Sequence, residues 1–145
     1  MSTFEIKTHQ IGRIYSKPHF FILNKGLNSG KPMNDPCPNC FVILVPTNEE
    51  RQTLFYLCLS LKLGQYFAYY LKGSVIPFIT INDCLGVLKR AYINSLENVN
   101  SLQKHVNTIN QIQQKEEVLK KQLKLMNQLK IAFIQSHFST KSKAV

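Results

Sequence analysis

A chain of 145 residues is about one ordinary domain, and 44% hydrophobic with 10% aromatic residues is enough to bury a core. That excludes a chain disordered over most of its length. Lys and Arg number 18 against 8 Asp and Glu, a formal charge of +10, which suits a polyanionic partner better than an acidic one.

The opening residues Met1 to Glu5 carry neither a basic run nor an apolar run, so no secretory signal is expected. The most apolar stretches, 54–63 and 66–71, are split by Gly64 and carry Lys62, short of the ~20 apolar residues of a membrane span. A soluble, cytoplasmic protein is therefore expected. In that setting the four cysteines read as reduced thiols or a metal site rather than disulfides.

Phe4, Ile6 and Thr8 alternate with polar neighbours and predict a short strand. The runs 19–23 and 41–45 are apolar, of strand length and bounded by Pro and Gly, as buried strands are; residues 24–40 between them, rich in Gly, Asn, Pro and Ser, read as a long loop. Thr47 and Glu50 have capping-box spacing, which predicts a helix from about Asn48 to Leu63. Residues 74–79 read as a strand or extended segment in which Pro77 prefers an edge.

All six prolines and five of the six glycines lie before Asn82. Beyond it only Gly86 interrupts about fifty-five residues that read as helix, with Asn82 as its cap. Val99, Leu102, Val106 and Ile109 recur at three-and-four spacing, and Leu119, Leu123, Met126 and Phe133 resume it after a polar stretch at 107–117. With no Gly or Pro there, one continuous helix of roughly 80 Å at 1.5 Å per residue is expected. Its apolar stripe exceeds what one small domain covers, so these eight residues are the expected dimerisation seam, paired as a coiled coil or a helical hairpin. The predicted fold is α+β: a small mixed or antiparallel sheet with one short helix over 1–81, a helical dimerisation or docking segment over 82–138, and a flexible tail at 139–145.

Chemistry-bearing residues are few. Cys37-Pro38-Asn39-Cys40 supplies half of a tetrahedral zinc site that His19 is able to join, or else a turn holding two reduced thiols. A thioredoxin-like redox role would want the first cysteine at a helix N-terminus, whereas a strand-like run follows. The stretch Gly26 to Lys31 looks like a phosphate loop, but three residues rather than four separate the glycines and Pro32 stands where Ser or Thr is required. Arg13, Tyr15, Lys17, His19, Lys25, Asn28, Ser29 and Lys31 interleave cations, aromatics and amides. Cations supply a salt-dependent phosphate term, while Tyr15 and Asn28 are able to stack or reach base edges, so these eight are the candidate DNA surface. Histidines and carboxylates are scattered with no acid pair and no nucleophile beside a base, so neither catalysis nor a cofactor is expected.

Residues 54–59, then Leu71-Lys72-Gly73-Ser74-Val75-Ile76-Pro77-Phe78-Ile79 and Ile81-Asn82-Asp83 leading into a long helix, resemble the end of a target-recognition domain in specificity subunits of type I restriction-modification systems. The Pro-rich, Glu-Gln-containing helix entry of that family is absent after Asp83, and the part before it is about half as long. Residues 12–20, 31–32 and 36–41 are similar to a small uncharacterised bacterial family found near mobile elements. The first resemblance implies a truncated, dimeric, non-enzymatic DNA-binding module. The rival expectation is an assembly factor whose long helix docks on a partner such as a restriction-modification subunit.

Overall fold

The computed structural model describes residues 4–143, with only the backbone described at Val99 and at 140–143. Residues 1–3 and 144–145 lie outside the described residues, and with them part of the expected leaderless start and of the expected tail. The chain forms two compact units, 1–107 and 108–145.

Four strands, β1 (Glu5–Thr8), β2 (His19–Leu23), β3 (Pro32–Met33) and β4 (Cys40–Leu44), make an antiparallel sheet in the order β1-β4-β2-β3. Glu5 pairs with Leu44 and Thr8 with Phe41, while His19 also pairs with Leu44 and Leu23 with Cys40. β1 and β2 are thus parallel to each other on either side of β4, and parallel strands need a connection that returns across the sheet. Residues 9–18 make that return. The His9 N–H donates to the Cys40 carbonyl at one end of β4, and the Val45 N–H donates to the Pro18 carbonyl at the other.

Strand alternation sorts the side chains onto two faces. Phe20, Ile22, Phe41 and Ile43 belong to the main core with Leu54, Leu57, Cys58 and Leu61 of α1 (Asn48–Leu63) and Cys84, Val87 and Leu88 of α2 (Ile81–Leu96). Phe21, Cys40 and Val42 form a second, smaller cluster with Tyr15 and Cys37. The alternation is possible because both faces are covered, one by helices and one by the crossover.

α1 begins as its sequence predicts, with the Glu50 N–H donating to Thr47 Oγ1 at 3.2 Å. It ends in a Schellman motif: the Tyr66 N–H bonds to the Leu61 carbonyl and the Gln65 N–H to the Lys62 carbonyl. The left-handed residue of that motif is Gln65 (φ 62°), one position after Gly64. A 3₁₀ turn (Ala68–Tyr70) follows, with Phe67 fully buried before it. Gly30 (φ 98°) lies so close to Phe67 that a Cβ there would overlap the ring.

Four expectations are corrected. Residues 74–79 are not a strand: Lys72 and Phe78 bond to each other in both directions around a loop with Gly73 in the left-handed region, and Pro77 has no N–H to donate. The helix after it is capped by Thr80, not Asn82, because Thr80 Oγ1 accepts from the Asp83 N–H at 3.2 Å. The single helix over 82–138 is two, since Asn98 ends the run by capping α3 (Val99–Lys143), its Oδ1 accepting from the Ser101 N–H at 3.3 Å. Finally, the boundary at 81/82 fails because Cys84, Val87 and Leu88 bury α2 in the main core, so the first unit extends to Asn107. α3 runs unbroken through the polar stretch 107–117, and it includes 139–143 of the expected tail.

Candidate functional site

The eight candidate DNA residues separate into two groups. Arg13, Tyr15, Lys17 and His19 belong to the crossover and the start of β2, whereas Lys25, Asn28, Ser29 and Lys31 belong to the loop beyond its other end. Tyr15 packs in the smaller cluster and its hydroxyl bonds His9 Nδ1 at 3.0 Å, so the ring is engaged with the sheet. His19 stands against both Tyr15 and Phe21, with ring centroids at 5.3 and 5.4 Å, and its Nδ1 bonds the Lys17 carbonyl at 2.8 Å. Arg13 lies 5.7 Å from the Tyr15 ring centre and is exposed, as is Lys17.

In the loop, Ser29 is buried and its hydroxyl donates to the Gly26 carbonyl at 2.7 Å, so it is corrected from a DNA contact to a turn residue. Gly26 and Gly30 are both left-handed, which closes this turn without a phosphate. Lys25, Asn28 and Lys31 point to solvent.

The cysteine motif is a turn. Cys40 is buried and its thiol donates to the Cys37 carbonyl at 3.0 Å; burial pushes that thiol up to about 11. Cys58 is pushed well above the usual thiol value by burial and Cys84 up to about 12, so both stay protonated at neutral pH. All four cysteines are free, and among the described residues no three His, Cys, Asp or Glu side chains gather as metal ligands.

Sequence reasoning missed Arg51. It reaches from the first turn of α1 to the His19 carbonyl and, at 2.7 Å, to Asn34 Oδ1, tying the helix to β2 and to the loop before β4. Two shallow polar clefts of about 380 and 430 Å³ share Asn34, Asn48 and Arg51 as lining. The only signal in the sequence was a cation in the first turn of a helix, where the dipole disfavours it.

The seam also divides. Val106 is buried and Leu102 packs against the main core, so these two are corrected from dimer contacts to core residues of the first unit. Of Val99 only the backbone is described, and Ile109 is half-buried. In the second unit Leu119, Leu123, Met126 and Phe133 are 63–74% exposed, and Ile112 and Leu129 join them on the same helical face at 51% and 70%. Ile112, Leu119, Met126 and Phe133 are seven residues apart in turn.

These features define a small α+β module whose sheet is covered on both faces, together with a long helix that leaves an apolar face in solvent. The chain belongs to DUF6943, a family of unknown function, whose model matches residues 6–136. That description names no activity, substrate or partner and makes no connection to restriction-modification subunits. A search of curated proteins finds no match. Among the described residues no helix is long and apolar enough to cross a membrane.

Proposed function

We propose that this chain is a non-catalytic assembly module, with the helix over 108–143 pairing to the same helix of a second copy. One observation carries the reading: six large apolar side chains of one face, Ile112, Leu119, Leu123, Met126, Leu129 and Phe133, are each at least half exposed. Monomers rarely leave contiguous apolar patches of this kind unpartnered.

A second copy fits this face by symmetry. The spacing 112, 119, 126, 133 reads the same in both directions, so an antiparallel partner sets Ile112 level with Phe133 and Leu119 level with Met126. At that register Glu116 comes level with Leu129 of the other copy and Lys115 with Lys130, twice each. The four free thiols suit a reducing compartment, and we place the protein in the cytoplasm. Sedimentation velocity of the full chain over a hundredfold concentration range tests the reading: dimer is expected, and monomer throughout sinks it.

DNA binding is the second reading. It rests on the exposed Arg13 and Lys17 on the crossover and Lys25 and Lys31 beyond the other end of β2, and it treats these cations as phosphate contacts. Fluorescence anisotropy with duplex DNA at two salt concentrations decides it. Salt-steep binding that weakens in Arg13→Ala supports it, and no binding at low salt removes it.

A further inference from the structure

A further cleft of the first unit lies between α1, the residues after it, α2 and the start of α3. It is a cleft of about 630 Å³, within the range of small-molecule sites. Its floor is apolar and built from core side chains, chiefly Leu57, Leu61 and Val87, each at most 9% exposed. Its rim is cationic and rich in donors. Arg90 and His105 stand on it with Asn94 and Tyr70, and among the described residues no Asp or Glu lines it.

Arg90 is held rather than free to wander. Its Nε donates to the Gly86 carbonyl at 3.2 Å, its Nη2 donates to the Tyr70 hydroxyl at 2.6 Å, and its guanidinium lies 5.7 Å from the Tyr70 ring centre. These partners are neutral, so its positive charge is uncompensated at the cleft mouth. The Tyr70 oxygen accepts from Arg90, which leaves the phenolic proton for another acceptor. The ion pairs of Lys7 with Glu5 and of Lys72 with Asp83 lie outside the cleft.

We infer that this cleft binds a single-headed organic anion with an apolar body, of the class of a medium-chain carboxylic acid, with the head on Arg90 and Tyr70 and the chain on Leu57, Leu61 and Val87. The inference is independent of the assembly reading, because none of these residues belongs to the 108–143 seam. A charged head on a fixed guanidinium and a tail on a preformed apolar floor are two separate contributions. Removing the charge of the ligand therefore tests the first without touching the protein.

The chain contains no tryptophan, so Tyr66→Trp on the cleft rim gives a reporter whose emission reads this place alone. Titration of the full chain with decanoate, kept below its micelle concentration, is expected to give a saturable emission shift. Decanol, with the same tail and no charge, is expected to need at least tenfold more. In Arg90→Gln the decanoate affinity falls at least tenfold towards that of decanol. Equal affinities for decanoate and decanol in the Tyr66→Trp reporter with Arg90 intact overturn the inference, and that comparison needs no variant of Arg90. No response to decanoate overturns it too. A reporter placed instead as Phe133→Trp stays silent; a response there at the same concentrations marks adsorption to the exposed helix and equally overturns it.

Discussion

Leu123→Ala removes the central side chain of the proposed seam. Leu123 is 70% exposed, so pairing is able to withdraw about two-thirds of its surface from water, a contribution of roughly 1–2 kcal/mol per copy at the usual value for a buried leucine. A symmetric pair contains the residue twice, which makes the loss about 2–4 kcal/mol. At about 1.4 kcal/mol per tenfold, the dimer dissociation constant rises roughly 25- to 700-fold. Sedimentation equilibrium measures it directly. Lys124→Ala, one residue on and outside the apolar face, is expected to change the constant by less than about threefold, as surface substitutions do. Helix content falls with dissociation in Leu123→Ala, because isolated helices are marginal in water. A constant within threefold of the unsubstituted chain would refute the reasoning that this face is the seam.

The remaining predictions concern the first unit. Gly30→Ala forces a side chain into a left-handed backbone and against the Phe67 ring, and is expected to destabilise by roughly 2–5 kcal/mol in urea unfolding. Gln65→Gly relieves the left-handed glutamine at the end of α1 and is expected to stabilise by up to about 1 kcal/mol, seen as a raised Tm. Iodoacetamide at pH 8 is expected to modify Cys37 first, with Cys40, Cys58 and Cys84 protected by burial and thiol values pushed upward; rapid modification of Cys58 would contradict the core packing. The Thr80 hydroxyl, then Lys72, holds the Asp83 carboxyl below its ordinary value of 3.8. A group lowered on folding stabilises above the unfolded value, so this contribution is present above about pH 4 and is lost as pH falls through the folded one. Asp83→Asn is expected to flatten that acid limb.

Local signals were legible where they act locally. Thr47 and Glu50 fixed the start of α1 because a cap bond spans three residues, and the runs at 19–23 and 41–45 became β2 and β4 because both strands are buried. The same physics was overlooked at Thr80 and Asp83, whose spacing repeats the motif two residues before the expected cap. The seam was harder. Leu102 and Val106 share the three-and-four spacing of Leu119 and Met126, and periodicity states that a face is apolar without stating what covers it. For the first pair the cover is the core of the same unit. The candidate DNA residues divide between two segments, Arg13 to Lys17 on the crossover that packs through Tyr15 against the sheet and Lys25 to Lys31 on the loop after β2, and sequence proximity does not show which surface each segment meets. Arg51 and Arg90 act through partners 17 to 32 positions away, beyond any local pattern.

Disulfide trapping tests the central claim most directly. In a Cys37→Ser background, chains carrying Ile112→Cys and Phe133→Cys are mixed in equal amounts and oxidised mildly. Antiparallel pairing of the helix predicts the mixed 112–133 cross-link in preference to either self-link. Self-links at 112 and at 133 would contradict the antiparallel account, and no cross-link of any kind would contradict pairing through this face altogether.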